Sequence, residues 1–230
     1  NTGRKTISIY QVDAFTKEPF KGNPAAVCIL QNKLEDDLLQ FIASEMNLSE
    51  TAFLRPLEEK PLEETKTFSL RWFTPTVEVP LCGHATLAAA TVLFYDINIL
   101  KDELMFETKS GILSAKKEKN GICLDFPQDE PIEISPPQDI ISAIAITNFK
   151  NVAYGKRTKI LLVHLFNEED VKSLKPNYEL MKSIRAREKI KGVIVTASGM
   201  PPYHFISRFF APWVGINEDP VTGAAHTVLA

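Results

Sequence analysis

The sequence has few cysteines, and they form no recognisable pattern. The three are scattered, at Cys28, Cys82 and Cys123. They have neither the spacing of a zinc motif nor the even number of a disulfide framework. Scattered thiols are typical of a reducing compartment, so we expect a cytoplasmic protein.

Long apolar runs and an excess of positive charge are also missing. No stretch reaches the roughly 20 apolar residues that a membrane-spanning helix needs. The 26 basic and 29 acidic residues give a formal net charge of −3, which lacks the basic footprint of a nucleic-acid-binding protein. We therefore expect neither a membrane nor a nucleic acid as partner.

What is present is the composition of an ordinary globular protein. Of the 230 residues, 44% are hydrophobic and 24% are charged, as in proteins with a sizeable core. This length fits one large domain or two small ones. The stretch from Pro127 to Pro137 is rich in proline and is typical of a linker. We therefore predict an N-terminal domain over 1–127 and a C-terminal domain over 138–230.

Hydrophobic periodicity predicts a mixed α/β (α+β) fold. The segment 83–94 is apolar on every side, so a helix there must be buried on every side. The predicted helices are 34–46, 83–94, 168–174, 178–188 and one that begins near Gly223. The predicted strands are 7–12, 26–30, 51–54, 68–73, 104–107, 112–115, 122–126, 160–165, 192–197 and 203–210.

An internal repeat is the most informative pattern. Residues 71–77, Arg-Trp-Phe-Thr-Pro-Thr-Val, align with residues 208–214, Arg-Phe-Phe-Ala-Pro-Trp-Val. Four further residues then align after a short insertion: Glu78, Pro80, Gly83 and Ala85 with Glu218, Pro220, Gly223 and Ala225. Each copy ends a strand, turns through proline and starts a helix with glycine. The pattern predicts a duplicated domain.

The two glycine-led helix starts are candidates for substrate binding. Glycine lets the backbone approach a ligand closely, and the free N–H groups of a helix start attract anions. We predict that Gly83 and Gly223 provide such donors in one cleft, for a carboxylate and a developing enolate. A single glycine of this kind is explained as well by tight strand–helix packing, but two copies favour a function.

Two polar side chains beside these helix starts are candidate substrate ligands. His84 follows Gly83, and a helix N-terminus disfavours imidazolium, so we expect a neutral ring. Asp219 precedes Pro220. Their structural alternatives are a histidine bonded to the backbone and an N-terminal cap. We expect His84 and Asp219 to face each other across the cleft.

Glu50 is the candidate acid/base. It lies between a predicted helix end and a predicted strand, and by itself it reads more simply as an exposed loop residue. Beside the apolar Phe53 and Leu54, however, the pKa of a carboxyl group can be raised towards neutrality. Such a group serves as general acid and base.

Five ordered motifs together resemble one known family. From residue 7 to the last residue, the chain resembles the phenazine biosynthesis (PhzF-like) isomerases, and most of all their animal members. The motifs are Gly22-Asn23-Pro24-Ala25-Ala26-Val27, Leu48-Ser49-Glu50-Thr51-Ala52-Phe53, Arg71-Trp72-Phe73-Thr74-Pro75, Glu78-Val79-Pro80-Leu81-Cys82-Gly83-His84-Ala85-Thr86 and Glu218-Asp219-Pro220-Val221-Thr222-Gly223.

The resemblance implies a fold and an activity. The fold is that of diaminopimelate epimerase, with two similar domains that each wrap a sheet around a central helix. The activity is an isomerisation that moves a proton between carbons of a small carboxylate-bearing substrate. The family's acid/base falls on Glu50, its substrate ligands on His84 and Asp219, and its backbone donors on Gly83 and Gly223. The resemblance also implies a homodimer with no metal and no organic cofactor.

One departure from the family keeps two alternatives open. Ala224 stands where the family usually has serine, which removes a hydroxyl donor. One alternative is an epimerase or dehydratase of the same fold that uses the single thiol of Cys82. A two-thiol racemase is disfavoured because the repeat partner of Cys82 is Thr222, and Cys82 can also be a small buried residue. The other alternative is a non-catalytic binding protein with a degenerate pocket.

The repeat also carries an expectation about length. The first copy continues through a helix and three strands, whereas the second ends within its helix at Ala230. If the copies match, further strands follow in the complete protein. We therefore expect the C-terminal domain to be truncated here.

Overall fold

A computed structural model describes residues 6–185 and 189–229. The chain divides into two compact units, Asn1–Phe126 and Pro127–Ala230. Within the described ranges, no helix combines the length and the apolar character needed to cross a membrane. The predicted helix end at Glu188 lies outside the described residues.

The first unit is built on a single eight-stranded sheet. Its order is β1-β2-β3-β4-β6-β7-β8, with β5 paired to β4. The β2–β3 and β4–β6 pairs are parallel and the others are antiparallel. The strands are β1 (Ser8–Ala14), β2 (Asn23–Ile29), β3 (Glu50–Pro56), β4 (Thr67–Phe73), β5 (Glu78–Val79), β6 (Glu103–Thr108), β7 (Gly111–Glu118) and β8 (Gly121–Asp125).

The sheet of the first unit curls around a central helix. Helix α1 (Asp36–Met46) joins β2 to β3, and helix α2 (Gly83–Thr91) continues into a π-helical turn, Val92–Asp96. Helix α2 packs against β1, β2, β3 and β8. Because β1 and β8 are the two edge strands, one helix can reach both only if the sheet curls. The predicted central helix is therefore confirmed, except that its last turn is π-helical.

The second unit is built on a six-stranded sheet of order β14-β13-β12-β11-β10-β9. The β11–β12 pair is parallel and the others are antiparallel. The strands are β9 (Ile132–Glu133), β10 (Asn151–Gly155), β11 (Ile160–His164), β12 (Gly192–Ser198), β13 (Phe205–Ala211) and β14 (Ile216–Asp219). The helices are α3 (Gln138–Ala143), α4 (Glu168–Ser173), α5 (Tyr178–Ser183) and α6 (Gly223–Leu229).

The proline-rich stretch after Phe126 is part of the second unit rather than a free linker. It contains β9, and the Asp129 carboxylate accepts hydrogen bonds from the backbone N–H groups of Arg157 and Thr158 at 3.2 and 2.8 Å. The Asp129 N–H in turn donates to the Thr227 carbonyl at 2.8 Å. Composition indicated a linker because none of these partners is close in sequence.

The two units share an order of strand pairing. In each, an antiparallel pair is followed by a parallel pair and two further antiparallel pairs: β1 to β5 in the first unit and β10 to β14 in the second. A helix then starts with glycine, α2 in one unit and α6 in the other.

The same bidentate ion pair ties the last two of these strands together in each unit. Arg71 donates through Nε and Nη2 to the Glu78 carboxylate at 2.8 and 2.9 Å. Arg208 donates in the same way to Glu218 at 2.7 and 2.8 Å. A forked guanidinium–carboxylate pair fixes both side chains in direction as well as in distance. Each pair therefore fixes the short strand that leads into the glycine-led helix.

We expect Glu78→Gln to lower the free energy of unfolding at pH 7 by about 1–2 kcal/mol, because it removes a charge-assisted pair. Arg71 lowers the pKa of Glu78 below its ordinary 4.5. A carboxylate with a lowered folded pKa stabilises the protein fully above pH 4.5, and this contribution is lost as the pH falls through the folded pKa.

The deficit of the variant in calorimetric Tm should therefore shrink between pH 7 and pH 3. The matched control is Glu107→Gln, at an exposed position of the same sheet. An equal Tm deficit at both pH values would show that the pair does not contribute in this way.

Candidate active site

Three sequence motifs meet at one end of α2 in the first unit. Helix α1 ends at Asn47, whose left-handed φ of 50° turns the chain. Three residues later Glu50 begins β3 and pairs in parallel with Ala25 of β2. The Glu50 side chain is only 12% exposed. The simpler reading of Glu50 as an exposed loop residue is therefore wrong, since the sheet buries it.

The turn before β2 holds this arrangement in place. Asn23 is buried, and its Oδ1 accepts a hydrogen bond from the Ser49 hydroxyl at 3.1 Å. Gly22 has a φ of 74°, and a Cβ there would lie 2.1 Å from the Ala14 carbonyl oxygen, so only glycine fits. Sequence reasoning quoted Asn23 and Ser49 as parts of motifs without giving either a role. Their contact links the two motifs on either side of α1.

His84 lies beside Glu50. It is the second residue of α2, and its side chain is 5% exposed. The Nε2 atom lies 3.3 Å from Oε2 of Glu50. On the other side of the ring, Nδ1 lies 3.5 Å from Sγ of Cys82. The structure thus brings together Glu50 and His84, and it adds Cys82 to them.

The His84 imidazole is neutral near pH 7. Burial lowers its pKa from 6.5 to about 4, although a hydrogen bond to the Pro24 carbonyl works in the opposite direction. The sequence predicted a neutral ring from the helix dipole, whereas the main cause is loss of water around the ring. Such a ring can give or accept one hydrogen bond at Nε2 without carrying charge.

The start of α2 supplies backbone donors and a possible set of metal ligands. Cys82 is the N-terminal cap residue, and its carbonyl accepts from the Thr86 N–H at 3.3 Å. The N–H groups of the first turn before Thr86 have no intrahelical acceptor in an α-helix. One ligand atom each of Glu50, Cys82 and His84 lie within 4.8 Å of one another.

Asp219 and Gly223 lie together in the second unit. Asp219 ends β14 and accepts a hydrogen bond from the Thr222 hydroxyl at 2.6 Å. Gly223 begins α6. Asp219 also lines a small depression of about 80 Å³. Sequence reasoning missed two polar residues of this depression, Ser207 and His226.

Comparison with known proteins gives a consistent result. The family model for phenazine biosynthesis-like protein matches residues 12–230. The bovine phenazine biosynthesis-like domain-containing protein is 49% identical over 97% of this chain and 82% of its own length. An uncharacterised isomerase of Halalkalibacterium halodurans is 46% identical over 97% of this chain and 80% of its own length.

Solved structures agree with these relatives. The crystal structure of a PhzF-family phenazine biosynthesis protein from Enterococcus faecalis superposes with a TM-score of 0.84 at 41% identity, over 97% of this chain and 80% of that one. A predicted epimerase from Pseudomonas aeruginosa shares the fold, with a TM-score of 0.70 at 20% identity over 96% of this chain and 79% of that one. The chain therefore belongs to the phenazine biosynthesis-like (PhzF) family.

Proposed function

We propose that this protein is an isomerase that moves a proton between two carbons of a small carboxylate-bearing substrate, with Glu50 as general acid and base. The observation that carries the proposal is the placement of Glu50. Its carboxylate is shielded from water yet partly accessible, lies 3.3 Å from a neutral imidazole, and stands beside the start of α2.

The proposed reaction needs one group that takes a proton and returns it. Glu50 removes a proton from a carbon next to an unsaturated or carbonyl group, and the electron pair moves into the conjugated system. The resulting enolate-like charge is stabilised by N–H groups at the first turn of α2. Glu50 then returns the proton to the second carbon, so that no net proton is consumed.

His84 gains a second role beside the predicted binding of substrate. A neutral imidazole can donate from a protonated Nε2 to the Glu50 carboxylate, or, as the other tautomer with Nδ1 protonated, accept at Nε2 from the carboxylic acid form of Glu50. In both states the imidazole holds the carboxyl group in a fixed direction. This is a positioning role, and it depends on the neutral state of the ring.

Asp219, at the end of β14, is the remaining predicted substrate ligand. We propose that Asp219 accepts a hydrogen bond from an amino or hydroxyl group of the substrate. The proposed substrate therefore carries both a carboxylate and an amino or hydroxyl group. On the strength of the family alone, we also propose a cytoplasmic homodimer without a resident cofactor.

A thiol-based epimerase or dehydratase is the second candidate, because Cys82 lies in the same cluster. Its Sγ is 3.5 Å from Nδ1 of His84. The two proposals differ in the group that removes the proton from the substrate carbon, which is the Glu50 carboxylate in the first and the Cys82 thiolate in the second. Glutamate and cysteine variants separate them.

Glu50→Gln is expected to lower kcat by about 10²–10⁴-fold, because general acid/base groups contribute rate enhancements of that size. The substrate is first found by a thermal-shift screen of small carboxylates, since a ligand of the folded state raises Tm. Glu45→Gln, on the exposed side of α1, is the matched control and should retain full activity. Full turnover by Glu50→Gln would overturn the assignment.

Asp219→Asn is expected to raise KM by about tenfold or more with a smaller change in kcat, because a hydrogen bond to a charged group is worth about 1.5–3 kcal/mol. Steady-state kinetics give both constants. A control at Glu179, exposed on α5, should leave KM unchanged. If Asp219→Asn also leaves KM unchanged, Asp219 does not bind the substrate.

The His84 ring should stay neutral down to about pH 4, which ¹⁵N NMR of the imidazole nitrogens can measure, with His84→Gln for assignment. Its folded pKa of about 4 is below the ordinary 6.5. The neutral ring therefore stabilises the protein fully above pH 6.5 and loses this contribution as the pH falls towards 4. The loss amounts to up to about 3 kcal/mol. A midpoint at or above pH 6.5 would contradict the positioning role.

A further inference from the structure

We propose that Glu50, Cys82 and His84 form a binding site for a zinc-like transition-metal ion, and that such an ion inhibits the enzyme. The three residues offer three different donors: a carboxylate oxygen, a thiolate sulfur and an imidazole nitrogen. One ligand atom from each lies within 4.8 Å of the other two. The inhibitory effect rests on the proposed function, but the binding site rests on geometry alone.

The distances suit a small tetrahedral ion. Zinc binds sulfur at about 2.3 Å and nitrogen or oxygen at about 2.0–2.2 Å, so neighbouring ligand atoms lie about 3.3–3.8 Å apart. Nε2 of His84 and Oε2 of Glu50 are 3.3 Å apart. The 4.8 Å limit on the whole set keeps the Cys82 sulfur near the other two donors. Because Sγ lies 3.5 Å from Nδ1, on the other side of the ring from Nε2, the Cys82 and His84 side chains rotate for one ion to bind both. Three protein ligands leave a fourth position for water.

The state of His84 points to a ligand as well. The side chain of His84 is only 5% exposed. Among the described residues, Nε2 has no partner in good hydrogen-bond geometry, although Oε2 of Glu50 is near. A buried nitrogen in that condition costs free energy. An ion between the two side chains would use the Nε2 lone pair.

The donor set selects the class of ion. Thiolate and imidazole favour zinc, cobalt and similar transition metals, whereas magnesium and calcium prefer oxygen ligands throughout. On binding, the Cys82 thiol releases its proton to solvent and sulfur bonds to the metal, with no change of oxidation state.

An ion at this position occupies the carboxylate that is proposed to move the substrate proton. It also holds His84 and lies at the helix start where charge is to be stabilised. The metal therefore competes with the reaction rather than serving it. The proposed ion is thus an inhibitor and not a resident cofactor, and the family resemblance implied no resident metal.

Cobalt(II) is the probe for the test, because a thiolate–cobalt bond gives a charge-transfer band in the near ultraviolet. We expect the chelator-treated wild-type protein to bind one cobalt ion with this band, and zinc to abolish the band by displacement. Cys82→Ser should lose the band. The matched control is Cys123→Ser, which removes an exposed thiol on β8 and should keep the band.

A second variant tests the site independently, in case Cys82→Ser does not fold. Glu50→Gln keeps the thiol and should keep a weakened band. Its affinity should fall by more than about tenfold, since loss of even an outer-shell partner costs 10–100-fold. Circular dichroism checks the fold of each variant. Absence of a saturable band in wild type, or its loss in Cys123→Ser, overturns the proposal.

The results distinguish failure of the proposed metal site from failure of the proposed function. If cobalt binds as described but Glu50→Gln retains full turnover, the metal site stands and the proposed function fails. If the wild type shows no band but Glu50→Gln is inactive, the proposed function stands and the metal site is wrong. Where both hold, zinc should inhibit wild-type turnover and a chelator should restore it.

Discussion

Burial of an apolar helix inside a curled sheet is the constraint on which the first unit depends. Helix α2 exposes almost none of its side chains, and its alanines pack against strands from both edges of the sheet. Small residues allow the strands to approach closely, so the sheet can close around the helix. The polar end of α2 is then placed where β2 and β3 begin. The candidate site lies at that place because the buried helix begins there, with His84 of its first turn beside Glu50.

Placing polar groups at the edge of an apolar core determines their chemistry. Burial removes water from the imidazole of His84 and lowers its pKa, so that the ring is neutral. The Glu50 side chain stays 12% exposed. Low local dielectric strengthens any interaction between a developing charge and the backbone donors of α2. The same cluster suits a metal ion for a related reason. Its oxygen, nitrogen and sulfur donors already lie close together at the edge of the core before any ligand binds. The proposed proton transfer and the proposed metal inhibition therefore have one physical origin.

Local patterns in the sequence predicted much of this, and non-local pairing explains what they missed. Continuous apolarity over 83–94 was enough to predict the central helix, and Asn47 was a recognisable helix end. The burial of Glu50 could not be read locally, because it results from parallel pairing with Ala25. The same holds for Asp129, whose partners are distant in sequence. Strands β5, β9 and β14 were missed because two to four residues are too few to show a period, and β10 and helix α3 were missed as well. The proximity of Cys82 and His84 was available from their spacing and was overlooked.

The central claim is that Glu50 transfers a carbon-bound proton, and hydrogen exchange tests it most directly. Small carboxylates with an acidic C–H bond are incubated with the protein in D₂O and followed by proton NMR. The account predicts loss of the signal at a single carbon, catalysed by the wild type and by Cys82→Ser, and abolished in Glu50→Gln. Exchange that survives in Glu50→Gln and disappears in Cys82→Ser would contradict the account and favour the thiol-based alternative.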